Sequence, residues 1–340
     1  MSPSGSWSST LLAPRDSTCP LTLSSSRSYS KRAPLELLAQ TLIFGGHLLR
    51  SGATLSRSLR DYAIYLLRKY GVRPSRRLGQ TFLVDEGAIE RIVDSAHLSE
   101  RDLVLEIGGG LGFLTREIAE RAGEVVTVEV DGRLVRALRE VLRGFDNVRI
   151  VHGDALKVRL PAANKIVSNL PYSISTRVTF RLLDEVPFEL AVLTYQREVA
   201  YRMMAGPGSP DYGRLTVMVQ LRAELEEVLY IPKYSFYPVP RVDSVTLKMR
   251  RRAVDLSERE LRLLSDVARC LFSQRNKLWP KVLRSCLLRS GVGEEAAEEA
   301  VRMCLEAVEV KRVRDLTVED VVSITKALSQ TLSLSSLSAS

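Results

Sequence analysis

Short apolar runs separated by amphipathic segments occupy the middle of the chain. The runs predict buried strands at residues 103–107, 125–130, 148–152, 165–168, 190–195, 228–231 and 245–249. Between most of them apolar positions recur at helical spacing, as in residues 85–96, where Asp85 supplies an N-cap. This alternation predicts an α/β domain with a mostly parallel sheet, and the last two strands are expected to form an antiparallel pair.

The pattern becomes entirely helical toward the C-terminus. Helices are predicted at residues 257–272, 277–289, 294–305 and 317–328. Cations recur on the first two of these helices, which suits an RNA-facing cap but equally a solvated helix face. We therefore expect a disordered leader, an α/β domain, a small helical domain and a disordered tail, at residues 1–60, 61–252, 253–328 and 329–340 respectively.

Four consecutive predicted strands end in a glycine or a polar residue. The first runs into the glycines of 108–112, the second ends at Glu129, the third leads to Asp154 and Ala155, and the fourth ends at Asn169. The carboxyl ends of parallel strands meet at one edge of a sheet, where open α/β sheets bind ligands. The sequence therefore predicts a ligand cleft at this edge.

The spacing of the glycines distinguishes two kinds of ligand. A dinucleotide-binding loop of the G-x-G-x-x-G type needs a third glycine at position 113, where Phe113 stands. The observed pattern is E-x-G-x-G-x-G from Glu106, which favours S-adenosylmethionine, a ligand without phosphate. Glu129 then suits the ribose hydroxyls, and Asp154 suits the adenine amino group.

The segment Asn169-Leu170-Pro171-Tyr172 carries the candidate chemistry. Pro171 fixes its own backbone and keeps Leu170 out of the helical region, so two carbonyl groups are expected to face the cleft. Such acceptors hold an exocyclic amine, and stacking on Tyr172 contributes about 1–3 kcal/mol. The alternative is an ordinary strand-to-helix turn. Phe236 is either a second aromatic wall or an anchor for its own loop.

The charge of the chain is concentrated near its N-terminus. The net charge is +9, and residues 1–80 hold twelve Lys and Arg against three acids, so the remaining residues are balanced. Five cations lie in residues 68–77. They form either a strip that contacts phosphates beside the cleft or an ordinary solvated face. The four cysteines have no metal-ligand spacing, so we predict no metal site and expect the thiols to be small core residues in a reducing compartment.

In this order the motifs resemble the ribosomal RNA adenine dimethyltransferase family of the KsgA type. The resemblance spans about residues 70–328 and rests on 78–83, 106–112, Glu129, 153–155, 169–175, 196–200, 212–215, 236–244 and 272–275. It implies a class I S-adenosylmethionine-dependent methyltransferase with a Rossmann-like, seven-stranded, mostly parallel sheet and a small C-terminal helical domain. The implied reaction is N6 dimethylation of two adjacent adenosines near the 3′ end of small-subunit ribosomal RNA.

The resemblance also assigns residues and partners. It implies cofactor contacts from Thr81, Leu83, Gly108, Gly110, Glu129, Asp154, Ala155 and Asn169. It implies that the target adenine is held by Asn169, Leu170, Pro171, Tyr172 and Phe236. The expected partner is small-subunit ribosomal RNA or its pre-30S-type particle, bound by a monomer with no role for a membrane.

Three departures and several alternatives accompany this interpretation. Gly109 stands where the family usually has proline, Thr81 stands where Asn or His is common, and the first seventy or so residues have no counterpart. A transit peptide in that leader would make the protein mitochondrial rather than cytoplasmic. The other functions considered are methylation of large-subunit ribosomal RNA, a non-catalytic RNA- or DNA-binding factor, and, weakest because of Phe113, a dehydrogenase.

Overall fold

The computed structural model describes the backbone of residues 58–75 and 77–337, and side chains through residue 331. The predicted leader lies outside the described residues except for 58–60. The helices are α1 (Leu59–Lys69), α2 (Glu86–Ser95), α3 (Phe113–Ala119), α4 (Gly132–Val141), α5 (Ser175–Glu185), α6 (Arg197–Met204), α7 (Arg214–Gln220), α8 (Glu258–Leu271), α9 (Trp279–Arg289), α10 (Glu294–Ala307) and α11 (Val318–Leu337). No helix among these residues is both long and apolar enough to cross a membrane.

The strands form a large sheet and a small ribbon. They are β1 (Phe82–Leu83), β2 (Leu103–Ile107), β3 (Glu124–Glu129), β4 (Val148–His152), β5 (Lys165–Asn169), β6 (Leu190–Gln196), β7 (Ala223–Ile231), β8 (Phe236–Tyr237) and β9 (Ser244–Arg251). The seven-stranded sheet has the order β4-β3-β2-β5-β6-β9-β7. Strands β2 to β6 are parallel, while β9 lies antiparallel between β6 and β7. The predicted sheet and its antiparallel end are confirmed.

The main core lies on the sheet. Ile166 of β5, Leu193 of β6 and Leu247 of β9 are at most 1% exposed and belong to one apolar cluster. Consecutive residues in these strands are buried because the sheet is covered on both faces. The sheet is therefore a rigid support for the residues at its carboxyl edge.

The C-terminal helices have a core of their own. Trp279 is fully buried there, and its indole N–H donates to the Glu309 carbonyl at 2.8 Å. Tyr212 and Val217, around the start of α7, belong to the same cluster, so the helices pack onto the α/β domain. The last helix continues to Leu337, past the end predicted at residue 328.

The cysteines correct one expectation from the sequence. Cys270 of α8 and Cys286 of α9 form a disulfide with their Cα atoms 6.2 Å apart, so these two are not separate core thiols. Cys304 is a buried free thiol, as expected. Burial raises its pKa to about 12, which keeps it protonated and unreactive. Cys19 lies outside the described residues.

The β1–β8 ribbon was not predicted. Phe82 pairs with Tyr237 and Leu83 pairs with Phe236, in antiparallel register. Helix α1 packs behind this ribbon, where its buried Leu66 shares an apolar cluster with Phe82. A segment far along the chain thereby closes one side of the sheet edge described next.

Candidate active site

A cavity of about 490 Å³ lies at the carboxyl edge of the parallel strands. Four predicted residues line it, one at or just after the end of each of the strands β2 to β5: Gly108, Glu129, Asp154 and Asn169. The other predicted residues that line it are Thr81, Leu83, Gly110, Ala155, Leu170 and Pro171. The structure therefore brings the predicted cofactor residues together with most of the predicted adenine-holding segment.

The glycine loop after β2 makes close backbone approaches. Gly108 has φ +83°, and a Cβ atom there would lie 2.9 Å from Cγ of Pro171. Gly110 has φ +57°, which also favours glycine. The absence of side chains lets the loop after β2 lie directly against the segment after β5, so both border one cavity.

Gly109 is constrained by space rather than by its backbone angle. A Cβ atom at this position would lie 2.3 Å from Oγ1 of Thr127 and 3.2 Å from both δ carbons of Leu138. Thr127 and Leu138 occupy the volume that a side chain at position 109 would need.

Glu129 ties the glycine loop to the end of β3. One carboxylate oxygen accepts the Gly110 N–H at 2.9 Å, and the other accepts the Asp131 N–H at 2.9 Å. Burial raises the pKa of this carboxyl, and the backbone donors oppose that rise. Each oxygen retains a lone pair for a further donor, so ribose hydroxyls remain suitable ligands.

Glu106 is a buried acid below the glycine loop. It is 1% exposed, and its carboxylate accepts the Thr115 hydroxyl at 2.6 Å. Burial is the main cause that raises the pKa of Glu106 to about 7, because desolvation penalises the charged form. This acid also lines the cavity, so its charge near neutral pH depends on what occupies the site.

Asn169 lines the cavity and carries an unused acceptor. Its Oδ1 atom is buried and has no hydrogen-bond partner among the described residues. Leaving such an atom unpaired costs about 1–3 kcal/mol, so a ligand donor at this point is stabilising. Leu170 and Pro171 also line the cavity. Ser168 fixes β5 against β2, because its hydroxyl donates to the Ile107 carbonyl at 2.7 Å.

The two predicted aromatic walls are placed differently. The Tyr172 ring is half-buried, and its hydroxyl lies 2.6 Å from Oγ of Ser244. Burial raises the pKa of this hydroxyl, opposed by its hydrogen bonds to Ser244 and Thr81. Phe236 is fully buried in the ribbon opposite Leu83, so in this conformation it anchors its loop and presents no face for stacking.

The segment before β1 forms the roof over Tyr172. Gly79 has φ +66°, and a Cβ atom there would lie 2.9 Å from the backbone nitrogens of both Tyr172 and Ser173. Gln80 reaches Asp131 at 3.4 Å through its amide nitrogen. This roof carries Thr81 and Leu83 into the cavity lining.

Three cations belong to the cavity lining: Arg77 is one of the five cations noted at residues 68–77, whereas Lys157 and Arg177 were missed by sequence reasoning. Arg77, Lys157 and Arg177 are exposed and line the cavity, and among the described residues none has a carboxylate partner. Arg177 lies in the first turn of α5, a few residues after Tyr172, so its position in the sequence was a usable signal. Cations at a cavity mouth attract a polyanionic substrate.

The residues present suit S-adenosylmethionine. Phe113 replaces the glycine that a pyrophosphate loop requires, while Glu129 and Asp154 supply acceptors for ribose and adenine. The unpaired Asn169 oxygen adds a further acceptor next to the glycine loop. The fold and this site define the class: a Rossmann-like S-adenosylmethionine-dependent methyltransferase.

Comparison with known proteins narrows the class to a family. The chain belongs to the ribosomal RNA adenine dimethylase family, whose model matches residues 72–330. It is 41% identical over 274 residues to a probable ribosomal RNA small subunit methyltransferase A of Pyrococcus abyssi, covering 79% of this chain and 97% of the relative. The Methanothermobacter thermautotrophicus protein of the same name is 44% identical, covering 76% of this chain and 92% of the relative.

Two solved structures are similar along most of their length. A dimethyladenosine transferase from Plasmodium falciparum has a TM-score of 0.66 and 27% identity, covering 74% of this chain and 98% of that one. The 23S rRNA methyltransferase ErmE has a TM-score of 0.55 and 31% identity, covering 73% of this chain and 100% of that one. Both agree with the fold of the family.

Proposed function

We propose that this chain dimethylates N6 of two adjacent adenosines near the 3′ end of small-subunit ribosomal RNA, using S-adenosylmethionine. The observation that carries the proposal is the buried, unpartnered Asn169 oxygen in the wall of the cofactor cavity. An exocyclic amine is a donor of the right chemistry for it. The family membership and the small-subunit names of the archaeal relatives support the choice of RNA.

The residues act mainly by positioning the amine. S-adenosylmethionine, when bound, supplies an electrophilic methyl group. The amine lone pair is delocalised into the adenine ring, so the protein must hold the nitrogen in a pyramidal, correctly aimed geometry. Asn169 Oδ1 accepts one N–H, and the backbone carbonyl of Leu170 accepts the other. These fixed dipoles also stabilise the positive charge that develops on nitrogen during transfer.

Other residues fix the position of the segment from Asn169 to Tyr172. Pro171 fixes the backbone after Leu170, and Ser244 anchors the Tyr172 hydroxyl. Gly79 and Gly108 allow the two flanking loops to pack directly on the segment. The target base must leave its stack to reach this wall, as in other base-modifying enzymes.

Methyl incorporation tests the function. Purified protein and labelled S-adenosylmethionine are incubated separately with unmethylated small-subunit and large-subunit RNA, and the products are digested for mass spectrometry. We expect N6,N6-dimethyladenosine at two adjacent positions of the small-subunit RNA only. Label confined to large-subunit RNA would support the ErmE-like alternative, and no label in either RNA would support a non-catalytic factor.

The form of the substrate is a finer part of the proposal. We expect the protein to act as a monomer on an assembled small-subunit particle, where exposed Arg77, Lys157 and Arg177 at the cavity meet RNA phosphates. Parallel reactions with naked RNA and with particles, together with light scattering of the free protein, test both points. Equal rates on the two substrates would contradict the preference for the particle.

A further inference from the structure

A second hollow, which we call the α1 groove, lies beside the β1–β8 ribbon. Its volume is about 410 Å³, and its lining includes Leu67 and Arg68 of α1, Val72 and Arg73 of the following loop, and Tyr237 of β8. None of these residues lines the cofactor cavity. The groove is therefore separate from the site described above.

The two hollows are close together. Phe82 lines the cofactor cavity and Tyr237 lines the α1 groove, and these two residues are direct partners in the β1–β8 ladder. Opposed residues in an antiparallel pair have Cα atoms only about 4.5–5.5 Å apart. The same chain segment also serves both hollows, since residues 71–74 line the groove and 77–83 line the cavity.

The two arginines of the α1 groove form no ion pairs with the described residues. Arg68 and Arg73 are exposed, and neither forms an ion pair with any carboxylate in the part of the chain that the structure describes. Neighbouring cations differ: Lys69 pairs with Glu140 at 2.6 Å, and Arg133 pairs with Asp131 at 3.0 Å. Two unpaired guanidinium groups beside an apolar floor have the charge and shape that suit a nucleotide.

The floor of the groove is held in place by Arg60. Its guanidinium donates to the Tyr234 carbonyl at 2.6 Å and lies 5.9 Å from the centre of the Tyr237 ring. The Tyr237 ring is thereby fixed in a position where it borders the groove. A fixed aromatic ring is the kind of platform on which single-stranded bases stack.

Resting on the proposed function, we infer that the α1 groove binds the single-stranded RNA that flanks the target adenosine. Arg68 and Arg73 contact its phosphates, and Tyr237 stacks on one of its bases. While one nucleotide occupies the cofactor cavity, its neighbour passes along the ribbon at the Phe82–Tyr237 pair. The groove thus gives the enzyme a second point of attachment on the same strand.

The test measures binding of the full chain to a labelled, short single-stranded RNA that contains two adjacent adenosines. Fluorescence anisotropy is followed across a salt series for wild type and for Arg68→Gln/Arg73→Gln. Each phosphate contact to single-stranded nucleic acid contributes about 0.7 to the slope of log K against log salt, so the double variant should lower the slope by about 1.4. The KM for RNA should rise, while kcat and S-adenosylmethionine affinity stay at wild-type values.

The matched control removes two exposed arginines at the opposite edge of the sheet. Arg101 precedes β2, and Arg250 pairs with Leu190 at the start of β6, so Arg101→Gln/Arg250→Gln deletes the same charge far from the groove. This control should retain the wild-type slope. An equal loss of slope in both double variants would reduce the effect to net charge and overturn the inference, as would no change in either.

Tyr237→Leu separates stacking from charge. It should weaken RNA binding about fivefold to a hundredfold with the salt slope unchanged, given the usual contribution of one stacked base. Unchanged affinity would remove Tyr237 from the RNA path. Because binding is measured without methyl transfer, an inactive wild-type protein would count against the proposed function and leave the result for the groove intact.

Discussion

Individual residues at the sheet edge were predictable because strand ends follow from the apolar pattern. Gly108, Glu129, Asp154 and Asn169 each follow a buried run, and the parallel register brings them to one cavity. The burial of Phe236 was not predictable in this way. Its environment depends on pairing with Leu83, a residue remote in sequence, and no local pattern encodes that contact.

At the residue scale, Glu106 should make the stability of the folded protein depend on pH. Its pKa is raised by burial from 4.5 to about 7, so between these values the folded protein binds a proton that the unfolded chain does not. Stability should therefore fall as pH rises through this window, by a total on the order of 3 kcal/mol. Thermal unfolding of cofactor-free Glu106→Gln should show a flatter profile from pH 4.5 to 7. Parallel profiles for the two proteins would contradict the assignment.

Gly109 and Thr127 should behave as a coupled pair. Gly109→Ala places a methyl group 2.3 Å from Thr127 Oγ1, so we expect a loss of about 1–3 kcal/mol in unfolding free energy. Adding Thr127→Ala should recover part of the loss. Gly87→Ala is the control, since its Cβ would lie no closer than 3.7 Å to the Asp85 carboxylate. If the changes in unfolding free energy are strictly additive in this double-mutant cycle, measured by denaturant unfolding, the two sites do not interact.

At the scale of elements, the strands and long helices were predictable, but contacts between distant elements were not. The β1 and β8 strands are two residues each, too short for any periodicity to indicate them. The pairing of Cys270 with Cys286 depends on how α8 packs against α9. Spacing alone could not distinguish that pair from separate core thiols.

The disulfide should stabilise the helical domain. Its two cysteines are 16 positions apart, and closing a loop of this size contributes about 3 kcal/mol. We expect Cys270→Ser/Cys286→Ser to unfold at a lower temperature than oxidised wild type and to be insensitive to reductant. Reduction of wild type should reproduce the loss. Peptide mapping that finds both thiols open to alkylation in unreduced protein would contradict this pairing.

At the scale of the whole molecule, residues 58–60 make contacts with the fold although the sequence assigned them to the leader. Ser58 caps α1, and Arg60 donates to the Tyr234 carbonyl, so a truncation at residue 60 would remove useful contacts. The archaeal relatives are covered almost fully by less than four fifths of this chain. The first 57 residues are therefore expected to be dispensable for methyl transfer.

Two truncations test whether the part of the chain needed for methyl transfer begins at Ser58. A chain that begins at Ser58 should retain wild-type melting temperature and activity. A chain that begins after α1 should be less stable, because Leu66 and Leu67 of that helix are buried against the rest of the domain. Loss of activity in the chain that begins at Ser58, with its fold intact by circular dichroism, would show that residues 1–57 contribute to the reaction.

The proposed reaction depends on an amine held by the Asn169 side chain beside the cofactor. Its most direct test compares methyl transfer with S-adenosylmethionine affinity in Asn169→Ala, by single-turnover methylation and calorimetry on the same preparation. We expect transfer to fall by a factor of about a hundred or more, the usual effect of removing one preorganised transition-state contact, with a much smaller loss of cofactor affinity. Equal losses of both, or an active variant, would contradict it.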